Sequence, residues 1–266
     1  MGEQAVPILM YHAVSAEPSD AARTLSVTPE AFAEQMAVVA DLGLTPLGTA
    51  ELASRWRDGR PLPARPVLIT FDDGYEGVHR HALPVLAGHG FPATLFVSTG
   101  WLRGPSCTGG APDTMLDWDQ VRDLAAAGVE IGGHSHTHPQ LDQLPDDALR
   151  RELIVCKEMV SDRLGAVPAS FAYPYGYSSR RVREAVRETG YAQALAVGNG
   201  LARRRQGPYA LHRVTVRRGT GAEEFQRLVE GRGITRTFAR DLALTKGYAL
   251  VRRARQVRRK AIRSRV

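Results

Sequence analysis

The sequence predicts an α/β fold of parallel strands, and three observations carry that expectation. Apolar strand patterns alternate with helical ones at spacings that suit βα units. No two-residue Asn-Gly type turn links one strand to the next, and polar, chemistry-bearing residues stand just after the strand patterns. At 266 residues and 43% hydrophobic content, the chain is long enough to bury a full core as one large domain. Both a parallel barrel and a doubly wound sheet fit this alternation.

Val6 to Tyr11 reads as the first strand. Thr28 and Pro29 then make a helix start, because a threonine hydroxyl caps free amides and proline suits the first helical position. Phe32, Met36, Val39 and Ala40 line one face of that helix until Gly43 stops it. The plan repeats. Strands are expected at Val67 to Phe71, Ala93 to Val97, Val129 to Ile131, Ser170 to Ala172, Gln193 to Val197 and Leu211 to Val216. Helical patterns fall near 78–88, 119–126, 146–164, 179–189 and 222–229. His12, Asp72, Asp73, His134 and Tyr175 all come just after strand patterns, where a barrel would gather them at one end.

The chemistry lies in two of those strand ends. Val67-Leu68-Ile69-Thr70-Phe71 runs into Asp72-Asp73-Gly74, and His134-Ser135-His136-Thr137-His138-Pro139 follows some sixty residues later. Uncompensated carboxylates at the end of a buried strand cost several kcal/mol unless a cation or donors receive them. One carboxylate and two neutral imidazoles give a divalent ion such as zinc three ligands and leave a coordination position open. The second carboxylate is then free to act as a base, so the pattern points to metal-assisted hydrolysis. His136 is not an expected ligand.

With those residues in view, the chain resembles the polysaccharide deacetylases of the NodB-homology class, carbohydrate esterase family 4. Thr70-Phe71-Asp72-Asp73-Gly74 is similar to the first motif of that family, His134-Ser135 with His138-Pro139 to the second, and Phe171-Ala172-Tyr173-Pro174-Tyr175-Gly176 to the third. The likeness covers roughly residues 5 to 230. It implies a distorted (β/α) barrel with about seven parallel strands, and a metal-dependent hydrolase that removes N-acetyl groups from an amino sugar. By the same resemblance Asp72 is the general base, Asp73, His134 and His138 hold one divalent metal ion, zinc first among the candidates, and the backbone amide of Tyr175 completes an oxyanion site. Tyr11 and Pro174 are expected to contact the sugar, and Trp118 and Tyr175 either wall the sugar site or belong to ordinary core packing.

Two departures from the family pattern bear on mechanism. The third motif usually has an arginine after the phenylalanine, where this chain has Ala172. Arg213 is the candidate substitute, since a guanidinium can hold Asp72 ionised and oriented. The catalytic acid, in many family members a histidine after a late strand, is expected to be His12, at the end of Pro7-Ile8-Leu9-Met10-Tyr11. That opening resembles a circularly permuted branch that includes the poly-N-acetylglucosamine deacetylases. His212 is the alternative acid.

The remaining features bound the function. Gly100 to Leu116, rich in glycine and proline, reads as a substrate loop. Cys107 and Cys156 are too few for a disulfide framework or a cysteine metal cage. The net charge of +7 is uneven: residues 242–266 carry nine Lys and Arg and no acid, leaving 26 basic against 28 acidic side chains elsewhere. Residues 1–241 are therefore expected to form the catalytic domain and 242–266 a basic tail, either an amphipathic helix suited to an anionic membrane surface or a solvated charged segment. No aromatics interleave its arginines, so nucleic acid is not an expected partner. No run of about eighteen apolar residues and no secretory leader pattern is visible, which makes a cytoplasmic location, peripheral to the membrane, the expectation. An amidase acting on a small non-sugar amide and a silent carbohydrate-binding protein of the same fold are the rival functions.

Overall fold

The computed structural model describes residues 3–241 and residue 243. Its strands are β1 (Ile8–Tyr11), β2 (Thr45–Leu47), β3 (Pro66–Phe71), β4 (Thr94–Val97), β5 (Glu130–Gly133), β6 (Ser170–Ala172), β7 (Gln193–Leu195) and β8 (Val214–Thr215). Seven of them pair in the order β7-β6-β5-β4-β3-β1-β8, and β2 pairs with β3 off this path. Every strand pairing is parallel. The sheet curls until the segment from Leu211 touches both of its ends. Leu211 makes an isolated parallel bridge to Leu195 of β7, and Val214 and Thr215 then pair with Leu9 and Met10 of β1. The architecture is a distorted barrel.

The helices are α1 (Asp20–Arg23), α2 (Pro29–Asp41), α3 (Thr49–Arg57), α4 (Leu83–His89, entered through a π turn at Val78–Ala82), α5 (Trp118–Ala126), α6 (Asp146–Leu164), α7 (Arg180–Glu188), α8 (Ala222–Val229) and α9 (Ile234–Thr237). Thr28 caps α2 through its hydroxyl, which accepts from the Ala31 amide at 3.1 Å. Strand alternation sorts the β3 side chains. Leu68 joins Ile8, Phe96, Ala172 and Leu195 inside the barrel, whereas Val67, Ile69 and Phe71 join Leu9, Phe32 and Met36 in the core beneath the helices. Continuing that alternation past Phe71 turns Asp72 inward, at the C-terminal mouth.

The structure adds β2 and α3, which the sequence pattern did not indicate. Thr45–Leu47 is too short to show a period, and its pairing with Pro66–Leu68 along the first half of β3 defines it. β5 runs on through Gly132 and Gly133, although glycine normally weakens a strand. The reason is lack of room: a Cβ at Gly132 would run into the Phe96 ring and lie 2.9 Å from the Ser170 carbonyl oxygen. At the other end β7 stops at Leu195, and the expected strand from 211 to 216 contracts to Val214–Thr215.

Two residues expected at the substrate site lie in the core instead. Tyr11 is fully buried on the helix-facing side of β1, packs on Phe32 and Phe71, and donates its hydroxyl proton to Gln35 Oε1 at 2.9 Å. Strand alternation explains it, since Leu9 and Tyr11 share a face. Trp118 is the first residue of α5, whose buried stripe is Trp118, Val121 and Leu124, and the Arg163 guanidinium lies 5.8 Å from its ring centroid. Apart from Ala243, the basic tail at 242–266 lies outside the described residues. No helix among the described residues is long and apolar enough to cross a membrane.

Candidate active site

The two halves of the site meet at the mouth of the barrel. Asp73 follows β3 with φ at 75°, an uncommon left-handed backbone for a residue with a side chain, and this turns its carboxylate toward the loop after β5. Asp73 Oδ1 lies 3.2 Å from His134 Nε2 and 3.2 Å from His138 Nε2. The three ligand atoms are within 4.8 Å of one another. His134 Nδ1 is 2.8 Å from the carbonyl oxygen of Ala172. A carbonyl only accepts, so Nδ1 carries the proton and the Nε2 lone pair faces Asp73. Thus the backbone of Ala172, where the family usually has arginine, orients a histidine.

This donor set fits a divalent cation. Asp73 Oδ1 is buried without a hydrogen-bond partner, and two imidazole nitrogens converge on it. One carboxylate and two imidazoles at the end of a strand suit zinc with an open position. Burial pushes the Asp73 carboxyl up, but His134 and His138 beside it more than reverse this and hold it well below the ordinary carboxylate range. In His134, burial alone would lower the pKa, yet Asp72 and Asp73 raise it overall.

Asp72 is held differently. Arg213, fully buried, donates from Nη1 to Asp72 Oδ1 at 2.6 Å and from Nη2 to Oδ2 at 2.7 Å. Its Nε also donates to the Ala196 carbonyl at 3.3 Å, and its guanidinium lies 5.7 Å from the centre of the Phe96 ring. Burial raises the Asp72 pKa, Arg213 and His134 lower it, and the net result is a carboxylate ionised below its ordinary range. Asp72 Oδ2 stands 4.0 Å from His134 Nε2, at the margin of the cation site. Neighbouring acids of one sequence motif thus have separate partners: a guanidinium for Asp72, two imidazoles for Asp73.

The two candidate acids are also separated. His12 carries the charge influence of both Asp72 and Asp73; burial lowers its pKa by more than they restore, and its buried Nδ1 has no hydrogen-bond partner. His212 packs against the glycine loop at 198–200, where a Cβ on Gly200 would lie 3.3 Å from its Nδ1, and only burial acts on its pKa. The structure brings His12, and not His212, to the carboxylates.

The rim is aromatic. Tyr175 (φ 58°) and Gly176 (φ 72°) both take left-handed backbone in a short 3₁₀ turn that begins at buried Pro174. A Cβ at Gly176 would meet the Val197 side chain and lie 2.7 Å from the Val197 nitrogen, so only glycine fits. Tyr175 is 53% exposed and its ring is 4.7 Å from that of His138. The Trp101 ring also lies against His138, with centroids 4.4 Å apart and the planes tilted by 31°. Sequence reasoning missed Trp101, the first aromatic of the 100–116 loop, and Tyr75, a buried residue whose pKa burial and Asp73 push up. Both stand beside residues it did single out, Gly100 and Gly74. His136 is turned away, its Nδ1 2.9 Å from Thr99 Oγ1.

Residues 59–194 match the family model described as polysaccharide deacetylase. The YxkH protein of Bacillus subtilis is 30% identical over 225 residues, covering 85% of this chain and 76% of the relative. The poly-beta-1,6-N-acetyl-D-glucosamine N-deacetylase of Escherichia coli K12 is 25% identical over 229 residues, which is 73% of this chain but only 34% of that protein. Among solved structures, Streptococcus pyogenes deacetylase PplD in complex with acetate superposes with a TM-score of 0.77 at 24% identity, over 86% of this chain and 99% of that one. IcaB from Ammonifex degensii gives a TM-score of 0.72 at 23% identity, over 86% of this chain and 98% of that one. These structures share the fold. Sequence match and barrel together place the chain in the polysaccharide deacetylase family.

Proposed function

We propose that the protein is a metal-dependent N-deacetylase that hydrolyses the acetamide of an amino sugar in a glycan, oligosaccharide or lipid-linked saccharide. One observation carries this reading: Asp73 Oδ1 sits between two imidazole nitrogens at 3.2 Å, while the adjacent Asp72 is tied to Arg213 and stands farther off, 4.0 Å from His134 Nε2. Asp73, His134 and His138 would hold the ion, zinc first, which supplies Lewis acidity to the acetyl carbonyl and the attacking water.

The protein's own groups do the rest. Asp72, ionised by its contact with Arg213, accepts the proton of the water as the water attacks the acetyl carbon. The Tyr175 amide is the donor for the oxygen that becomes negative, a role typically worth about 3 kcal/mol. The C–N bond then breaks with its electron pair going to nitrogen, and His12 supplies the proton that completes the amine. Burial lowers the His12 pKa, and the proton that Asp72 takes from the water is the one His12 would pass on to nitrogen. Trp101 and Tyr175, which flank His138, form walls suited to a sugar ring. The name of the E. coli relative supports an N-acetylglucosamine substrate.

Acetate release from N-acetylglucosamine oligomers, with chelator and with added zinc, tests the proposal. Chelator-sensitive release is expected; zinc binding without release would favour the small-amide or silent-binder reading. A cytoplasmic location with the basic tail on an anionic membrane is a separate proposal. It fails if truncation after residue 241 leaves binding to anionic vesicles unchanged.

A further inference from the structure

His138 lies in a turn that is itself part of no helix or strand. Ser135 (φ 67°) and His138 (φ 57°) both occupy left-handed backbone, which is costly for a residue with a side chain and persists only where surrounding contacts over-determine it. On one side the turn is tied to the end of β4: Gly100 N donates to the His136 carbonyl at 2.7 Å, Thr99 N to the Ser135 carbonyl at 3.3 Å, and Ser98 Oγ to the His134 carbonyl at 3.1 Å. On the other side a single residue of α6 holds it. Glu152 Oε2 accepts from the backbone amides of His136 at 2.9 Å and Thr137 at 2.7 Å, and Oε1 accepts from Thr137 Oγ1 at 2.6 Å. The next amide, that of His138, donates to Ser135 Oγ at 3.1 Å. Three successive amides are thereby consumed, two of them by one carboxylate seated in an anion-binding concavity of the backbone.

We propose that Glu152 is the positioning residue of the cation site: its carboxylate locks the 135–138 turn so that His138 Nε2 meets Asp73 Oδ1. Glu152 contributes no ligand atom to the group formed by Asp73, His134 and His138. It acts through the main chain, and for that reason it escapes recognition from the sequence, fourteen positions beyond His138 on a helix. Outer contacts of this kind typically contribute 10- to 100-fold to metal affinity. The inference rests on the cation-site reading proposed above, and the test separates the two.

Zinc affinity of the full chain is measured by competition with a chromophoric chelator for the parent, Glu152→Ala, Glu152→Gln and Thr137→Ala, with thermal unfolding of each chelated protein recorded alongside. Glu152→Ala is expected to weaken zinc binding 10- to 100-fold. Glu152→Gln should recover most of it, because its amide oxygen can still accept from both backbone amides while its nitrogen donates to the Thr137 hydroxyl. Thr137→Ala, which removes one of the three bonds, should fall between. If Glu152→Ala does not fold, the other two variants decide: Glu152→Gln weaker than Thr137→Ala overturns the proposal. Parent-like affinity in Glu152→Ala also overturns it, whereas a parent that binds no zinc overturns the cation site itself.

Discussion

Replacing Arg213 with methionine tests the division of labour between the two aspartates. Arg213 is fully buried, Asp72 is 2% exposed, and the pair is joined by hydrogen bonds of 2.6 and 2.7 Å. Methionine fills much of the same volume but leaves a buried carboxylate without its cation. Breaking a buried pair from one side typically costs 3–5 kcal/mol, because the desolvation of the remaining charge goes uncompensated. The same loss raises the Asp72 pKa, because the Arg213 guanidinium is what offsets its burial. A base that is protonated at higher pH displaces the acid limb of kcat/KM upward. Denaturant unfolding of the chelated protein and the pH profile of acetate release read the two effects separately. Adding Asp72→Asn to Arg213→Met removes the stranded charge and should restore part of the stability with no recovery of activity. A loss below about 1 kcal/mol together with an unmoved acid limb would refute the reasoning.

Three further outcomes are expected. Trp118→Ala should cost about 3–5 kcal/mol of stability as a core cavity, with KM unchanged; a raised KM in a stably folded variant would return Trp118 to the substrate site. Gly176→Ala forces a side chain into left-handed backbone against Val197, so acetate release should fall together with about 1–3 kcal/mol of stability, visible as a lower Tm. Asp72 and Asp73 both have carboxyl pKa values lowered in the folded protein, and their stabilisation is therefore fully present above the unfolded value of about 3.9 and lost as pH falls through the folded values. Chelated parent should lose stability below about pH 4 more steeply than Asp73→Asn; equal slopes would contradict the assigned direction.

The parts of the site carried by strand ends were legible in the sequence, because an apolar run followed by acids is a local pattern. Asp72 and Asp73 after β3, His134 after β5 and the Pro174–Gly176 turn after β6 all belong to this class. Arg213 was suggested only through the family resemblance, whose third motif usually has an arginine where this chain has Ala172. What escaped depends on facing and on distance. Tyr11 and His12 are neighbours in sequence, but strand alternation puts the tyrosine under α2 and the histidine by the carboxylates. For Trp118 the decisive signal was present: a spacing of three to Val121 and Leu124 marks a buried helical stripe, which outweighs proximity to a loop. Trp101 and Glu152 had no such local mark. Their roles follow from the contacts with His138 and its turn, which exist only once β4, β5 and α6 are packed.

The most direct measurement compares zinc content and acetate release in the parent, Asp72→Asn and Asp73→Asn. The account predicts that the parent holds one zinc, that Asp72→Asn retains it but releases acetate at least about 100-fold more slowly, the range for removal of a general base, and that Asp73→Asn binds zinc poorly. A parent devoid of divalent ion, or Asp72→Asn hydrolysing substrate at the parent rate, would contradict it.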